Sequence, residues 1–145
     1  RCLALAPGAN WPLKRWPAES FATCVNLLRD DVDSVVVLGS AADAAAANTL
    51  ASRTALPLLD LTGETSLCEA AALLKECTAF IGNDSGLGHI AAAVGTPVVT
   101  VFGPGKPARY RPWGPRAAIC EAPAQELARL EPQAVAQQLR RLLAA

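Results

Sequence analysis

The feature that most constrains this chain is a rhythm. Short apolar runs alternate with helical patterns from one end to the other, and no hairpin turn joins two runs. "CLALA", residues 2–6, reads as a buried strand stopped by Pro7-Gly8. "SVVVLGS" (34–40), the stretch near Leu58 to Asp60, "AFIG" (79–82), "PVVTVFG" (97–103) and "AAIC" (117–120) repeat the signal. Helices are predicted between them. One starts at Pro17, a favourable first helical position, and carries Phe21, Cys24, Val25 and Leu28 on one face. Asp43 to Ala55 is alanine-rich and reads as a second. Ser66-Leu67-Cys68-Glu69 matches a capping box and opens a third, with Leu67, Ala70, Ala71, Leu74 and Cys77 as its stripe. A fourth follows Ile81, and Val135, Leu139, Leu142 and Leu143 give a C-terminal helix its apolar face. "PGKPARYRPWGPR" (104–116) shows no regular pattern and reads as a loop.

Strands that alternate with helices run parallel and are joined by right-handed crossovers, so the fold class is α/β with a doubly wound parallel sheet. In such sheets ligands sit beyond the carboxyl ends of the strands. The loops after Ala6, Leu38, Asp60, Ile81 and Phe102 should then share one face. They carry Asn10 and Lys14, Ser40 and Asp43, Thr65 and Ser66, Asp84 to His89, and Lys106 to Arg111.

Composition narrows the function. At 145 residues the chain has the length of one domain with a core, and 52% hydrophobic with 18% charged residues is a globular balance. A formal net charge of zero gives no broad attraction to nucleic acid or to a membrane surface. No apolar stretch is long enough to span a bilayer; Ile90 to Phe102 is interrupted by Gly95 and Pro97. The five cysteines are odd in number and form no C-x-x-C pair, which reads as buried free thiols in a cytosolic protein. With a single histidine, no His/Cys metal site is expected. The absence of methionine reads as a piece of a longer protein.

"IGNDSGLGHIAAAVGTPVV", residues 81–99, concentrates the unusual residues, and three chemistries compete for it. Gly86-x-Gly88-x-x-Ala91 fits the dinucleotide pattern G-x-G-x-x-G/A. Against that, the motif lies in a late βα turn. The acid expected about 20 residues on is also missing, Glu121 being the next after Asp84. A hydrolytic Ser85 lacks the G-x-S-x-G elbow, since Asn83 and Leu87 stand at the glycine positions. The third reading is a clamp for a sugar diphosphate. Asp84 or Ser85 caps a helix whose free N–H groups and dipole suit phosphate. Gly86 and Gly88 let a ligand approach the backbone, Lys14 and the arginine-rich loop add positive charge, and Asp84 suits hydroxyls, which donate to a carboxylate. Plainer uses stand beside these: Asp84 and Ser85 as caps only, His89 as a hydrogen-bonded half-buried histidine, and Asp43 as a helix-start acid. Lys14 and the arginines would then be surface charges, and Trp11, Trp16 and Trp113 loop packing.

The segments "PGANWPLKRWPAESFA", "VVVLGSAAD", "LTGETSLCEAAALL" and "FIGNDSGLGHIAAAVGTPVVTVFGPGKPARYRPWG" occur in that order from Pro7 to Gly114. Together they resemble the C-terminal half of glycosyltransferase family 9, the ADP-heptose:lipopolysaccharide heptosyltransferases. The ordered set K-x-W-P, G-x-T-S-L, D-S-G-x-x-H and F-G-P carries the likeness. The resemblance implies residues 1–145 as one Rossmann-like, nucleotide-sugar-binding domain of a GT-B enzyme. The N-terminal domain, with the catalytic base and most of the lipid-acceptor surface, would lie outside this chain. It implies Lys14 on the diphosphate, Asn10 near the phosphates, Asp43 on the ribose and Thr65 near the adenine. Asp84 would hold heptose hydroxyls, Ser85, Gly86 and Leu87 would line the donor, and His89 would support the turn. It implies ADP-heptose as donor, no separate cofactor or metal, and a lipopolysaccharide core acceptor. The implied location is cytoplasmic, at the inner face of the bacterial inner membrane. Another nucleotide sugar, or a non-catalytic NAD-type module, are the alternatives.

Overall fold

The computed structural model describes residues Arg1 to Ala145. Six strands form one sheet: β1 (Cys2–Ala6), β2 (Ser34–Val37), β3 (Leu58–Asp60), β4 (Ala79–Asn83), β5 (Val98–Phe102) and β6 (Ala117–Glu121). All neighbours pair parallel, in the order β3-β2-β1-β4-β5-β6. The helices are α1 (Ala18–Leu27), α2 (Ala44–Arg53), α3 (Leu67–Glu76), α4 (Gly86–Ala93), α5 (Pro107–Tyr110) and α6 (Pro132–Ala144). This is the doubly wound arrangement that the alternation predicts.

Period-two alternation sends each strand's residues to two different layers. Leu3 and Leu5 of β1, Val35 and Val37 of β2, and Val99 and Val101 of β5 face α1, α2 and α6, where Phe21, Val25, Leu50 and Leu139 are fully buried. Ala4, Ala6, Val36 and Phe80 face the opposite way, onto Ala70 and Leu74 of α3 and Ala91 of α4. With both faces covered, the strands can be apolar throughout.

Three expectations need correcting. The 104–116 segment contains one helical turn, α5, with Lys106 before it and Pro107 at its start. Leu67, read as part of the α3 stripe, is 72% exposed, because it is the first residue of the helix and stands at the rim of the strand ends. The thiols are all free but not all buried: Cys24 is buried, Cys68 exposed and the other three half-buried. Burial pushes the Cys24 thiol up to about 12 and Cys120 to about 11.

Candidate functional site

The strand order reverses between β1 and β4. The chain leaves β1 toward β2 and leaves β4 toward β5, so the two following loops diverge and open a crevice at the carboxyl edge. A cleft of about 920 Å³ lies there, within the size range of small-molecule sites.

The first wall is the loop after β1. Pro12–Lys14 forms a 3-10 turn, in which Lys14 N–H donates to Trp11 O at 2.9 Å and Arg15 N–H to Pro12 O at 3.1 Å. The Arg15 side chain bonds back to Ala9 O at 2.9 Å. Trp16 anchors the far end: it is buried, its indole N–H donates to Leu130 O at 3.2 Å, and its ring meets Phe21 edge-on at 4.9 Å. The near end and the far end meet on one side chain. Asn83, fully buried at the tip of β4, donates to Pro7 O at 2.7 Å and Gly8 O at 3.4 Å, and accepts from Trp16 N–H at 2.9 Å. Sequence reasoning missed Asn83; the one available signal was an amide ending an otherwise apolar strand.

The loop after β4 is the second wall. Lys14 Nζ lies 3.1 Å from Asp84 Oδ2, with the side chains 30% and 10% exposed. The contact is ionic and lacks hydrogen-bond alignment, for Oδ2 is buried and accepts no hydrogen bond. Ser85 stands at the N-cap of α4 with extended backbone, yet its side chain caps nothing. The first N–H groups of α4 are therefore not satisfied by that hydroxyl, and Gly86 and Leu87 line the cleft beside them. A Cβ on Gly86 would meet nothing within 4 Å, whereas one on Gly88 would lie 3.4 Å from Thr100 Oγ1 and 3.5 Å from Pro112 Cγ. Gly86 thus faces open space, and Gly88, buried, serves helix-to-sheet packing.

Asp43 closes the third side. Its Oδ2 accepts from Ser40 N–H at 2.9 Å, and its carboxylate fills the space above two glycines. A Cβ on Gly8 would fall 2.3 Å from Oδ1, and one on Gly39, at φ +152, would fall 2.4 Å from Oδ2. Asp43 lines the cleft while capping its own turn. Thr65 and Ser66 form the fourth side, at the start of α3. The capping box there is complete: Ser66 N–H donates to Glu69 Oε1 at 2.9 Å, and Glu69 N–H to Ser66 Oγ at 3.1 Å. The Ser66 N–H, with its hydroxyl second, holds the Glu69 carboxyl below its usual value.

Of the residues that the family resemblance assigns to the donor, Asn10, Lys14, Asp43, Thr65, Asp84, Ser85, Gly86 and Leu87 line this cleft, and His89 is exposed on α4 outside it. The predicted common face is present for the first four loops. The fifth contributes proximity only: Lys106 to Arg111 stay outside the lining, although a Cβ on Gly105 would come within 3.5 Å of Asp84 Oδ2. Trp11 lines the cleft at 47% exposure and Trp113 is 88% exposed, so only Trp16 packs as a core residue. No three His, Cys, Asp or Glu side chains converge.

A doubly wound parallel sheet whose crevice opens at the switch point defines a Rossmann-like α/β domain, the class in which ligands sit at that edge. The chain is a member of glycosyltransferase family 9 (heptosyltransferase), whose model matches residues 1–139. It is 38% identical over 124 residues to lipooligosaccharide heptosyltransferase 2 of Haemophilus influenzae, covering 81% of this chain and 35% of that protein. The solved Escherichia coli ADP-heptose lps heptosyltransferase II superposes with a TM-score of 0.89 at 36% identity, over 99% of this chain and 46% of that one. The E. coli heptosyltransferase WaaC with ADP gives 0.87 at 27% identity, over 97% and 43%. The chain thus spans about a third of the length of the curated relative and under half of either solved chain. No helix is long and apolar enough to cross a membrane.

Proposed function

We propose that this chain is the donor-binding, C-terminal half of a heptosyltransferase, and that the switch-point cleft holds ADP-heptose. The observation that carries this reading is the Lys14–Asp84 pair at the N-terminus of α4. It sets a cation for a diphosphate beside an acceptor for sugar hydroxyls, and each has one comfortable partner by charge. Lys14 and the α4 N–H groups bind the diphosphate and stabilise it as it departs, where negative charge develops in the transition state. Asp84 holds the heptose, Thr65 lies toward the adenine and Asn10 toward the phosphates. Asp43 keeps its second oxygen for a ribose hydroxyl while the first holds Ser40. The catalytic base, which takes the acceptor's proton as the lipopolysaccharide core hydroxyl attacks the anomeric carbon with inversion, belongs to a preceding domain. The reaction is placed at the cytoplasmic face of the inner membrane.

The test is heptose transfer from ADP-heptose to a core acceptor, assayed for the 145-residue chain and for the protein that joins it to its preceding domain. Transfer is expected from the joined protein alone. Transfer by the 145-residue chain would overturn the division of labour, and a folded joined protein without transfer would overturn the assignment.

A further inference from the structure

We infer that Asn83 is a positioning residue for the donor site: it fixes both ends of the loop that carries Lys14, and so sets where the ammonium stands. This rests on the reading that the cleft takes a nucleoside diphosphate. The geometry is specific. One carboxamide, with no exposure to solvent, spends both faces on the same loop. Its NH2 donates to Pro7 O and Gly8 O at the loop's start, and its oxygen accepts from Trp16 N–H at the loop's end. Between those anchors lie Asn10, Trp11, Lys14 and Arg15, all cleft residues. The next residue in sequence is Asp84, whose carboxylate meets Lys14 at 3.1 Å. The end of β4 and the residue after it therefore fix the loop's frame through Asn83 and meet the loop's charge through Asp84.

The two jobs need a donor and an acceptor on one short side chain, which a carboxamide on a single methylene supplies. The loop's start offers carbonyl oxygens and its end offers an N–H, so the group between must donate and accept at once. Aspartate keeps the acceptor for Trp16 but turns two donations into repulsion between oxygens. Alanine removes all three bonds and leaves buried backbone groups unsatisfied. A loop released from Asn83 keeps its internal 3-10 turn, the Arg15–Ala9 bond and the packed Trp16 ring, but loses the frame that joins Pro7 and Gly8 to the Trp16 N–H, and Lys14 loses its fixed distance to the α4 N-terminus.

Asn83→Asp and Asn83→Ala are compared with wild type in two measurements. The first, without ligand, is amide hydrogen exchange at Lys14, Arg15 and Trp16, the bonded amides at the loop's far end. In Asn83→Ala these should exchange about tenfold faster or more, while Leu3 to Ala6 and Ala79 to Ile81 keep wild-type protection. The second is titration with ADP. Both variants should bind about tenfold more weakly or worse, and adding Lys14→Ala to Asn83→Ala should cost little further, because the ammonium is already displaced. A folded Asn83→Ala with unchanged ADP affinity would overturn the inference. So would a Lys14→Ala cost as large in that background as in wild type, which marks a residue that supports the fold without placing Lys14. If wild type binds no ADP, the donor reading falls, and the exchange measurement decides alone: unchanged rates at the three amides would overturn the role of Asn83.

Discussion

Lys14 and Asp84 face a ligand as a pair that must be divided. Asp84 is 10% exposed, so taking Lys14 from it leaves a nearly buried charge without compensation. Bare ADP takes the lysine and offers the carboxylate nothing. ADP-heptose takes the lysine and returns hydroxyl donors to Asp84. Lys14→Ala should therefore weaken both ligands by about 1.5–3 kcal/mol, the loss of a charge-assisted hydrogen bond. Asp84→Asn should separate the two ligands: ADP binds more tightly because Lys14 is released, and ADP-heptose more weakly because the sugar loses its acceptor. Titration of both variants with both ligands reads the four results. Asp84→Asn weakening ADP as much as ADP-heptose would show that the carboxylate does not read the sugar. Charge sign alone suggests the two proposed roles in the sequence, but nothing local revealed that the two side chains touch. Asn83 was illegible for the same reason, since its partners lie 76 and 67 residues away. His89 carried a family pattern, yet its position on the outer side of α4 depends on how the helix docks.

At the scale of elements, α3 shows how a local signal reaches the site. Its capping box places Thr65 and Ser66 at the cleft wall. Ser66→Ala should cost about 1 kcal/mol of stability, the usual worth of an N-cap. The reciprocal bond adds a pH dependence. Glu69's folded value is depressed below its usual 4.5, so its contribution is full above about 4.5 and is lost as pH falls through the folded value. The melting-temperature deficit of Glu69→Gln should accordingly be present at neutral pH and shrink as the carboxyl is protonated in acid, and a deficit that stays constant would contradict the cap. This element was readable because all its determinants lie within four residues. The one turn of α5 was not, since four residues are too few to establish a helical period against a background of proline and glycine. The boundary of α1 moved by one residue, Pro17 standing just before the helix as its cap, within the ordinary ambiguity of helix ends.

For the whole molecule, the parallel sheet followed from the alternation itself, because parallel strands need crossovers and the chain supplies a helix for each long one. The place of reversal, between β1 and β4, was not legible, since the alternation yields strands and crossovers but not the spatial order in which the strands pair. That reversal sets where the cleft lies. It brings the Lys14 loop and the Asp84 loop together at one crevice, and it puts the Gly86-x-Gly88-x-x-Ala91 match beyond the first βα turn where a dinucleotide fingerprint works. Gly88 and Ala91 are consumed by packing, so of that match only Gly86 stands at the cleft. Calorimetric titration of the chain with ADP-heptose and with NAD tests the central claim most directly. The account predicts that ADP-heptose binds and NAD does not; tight binding of NAD without a response to ADP-heptose would contradict it.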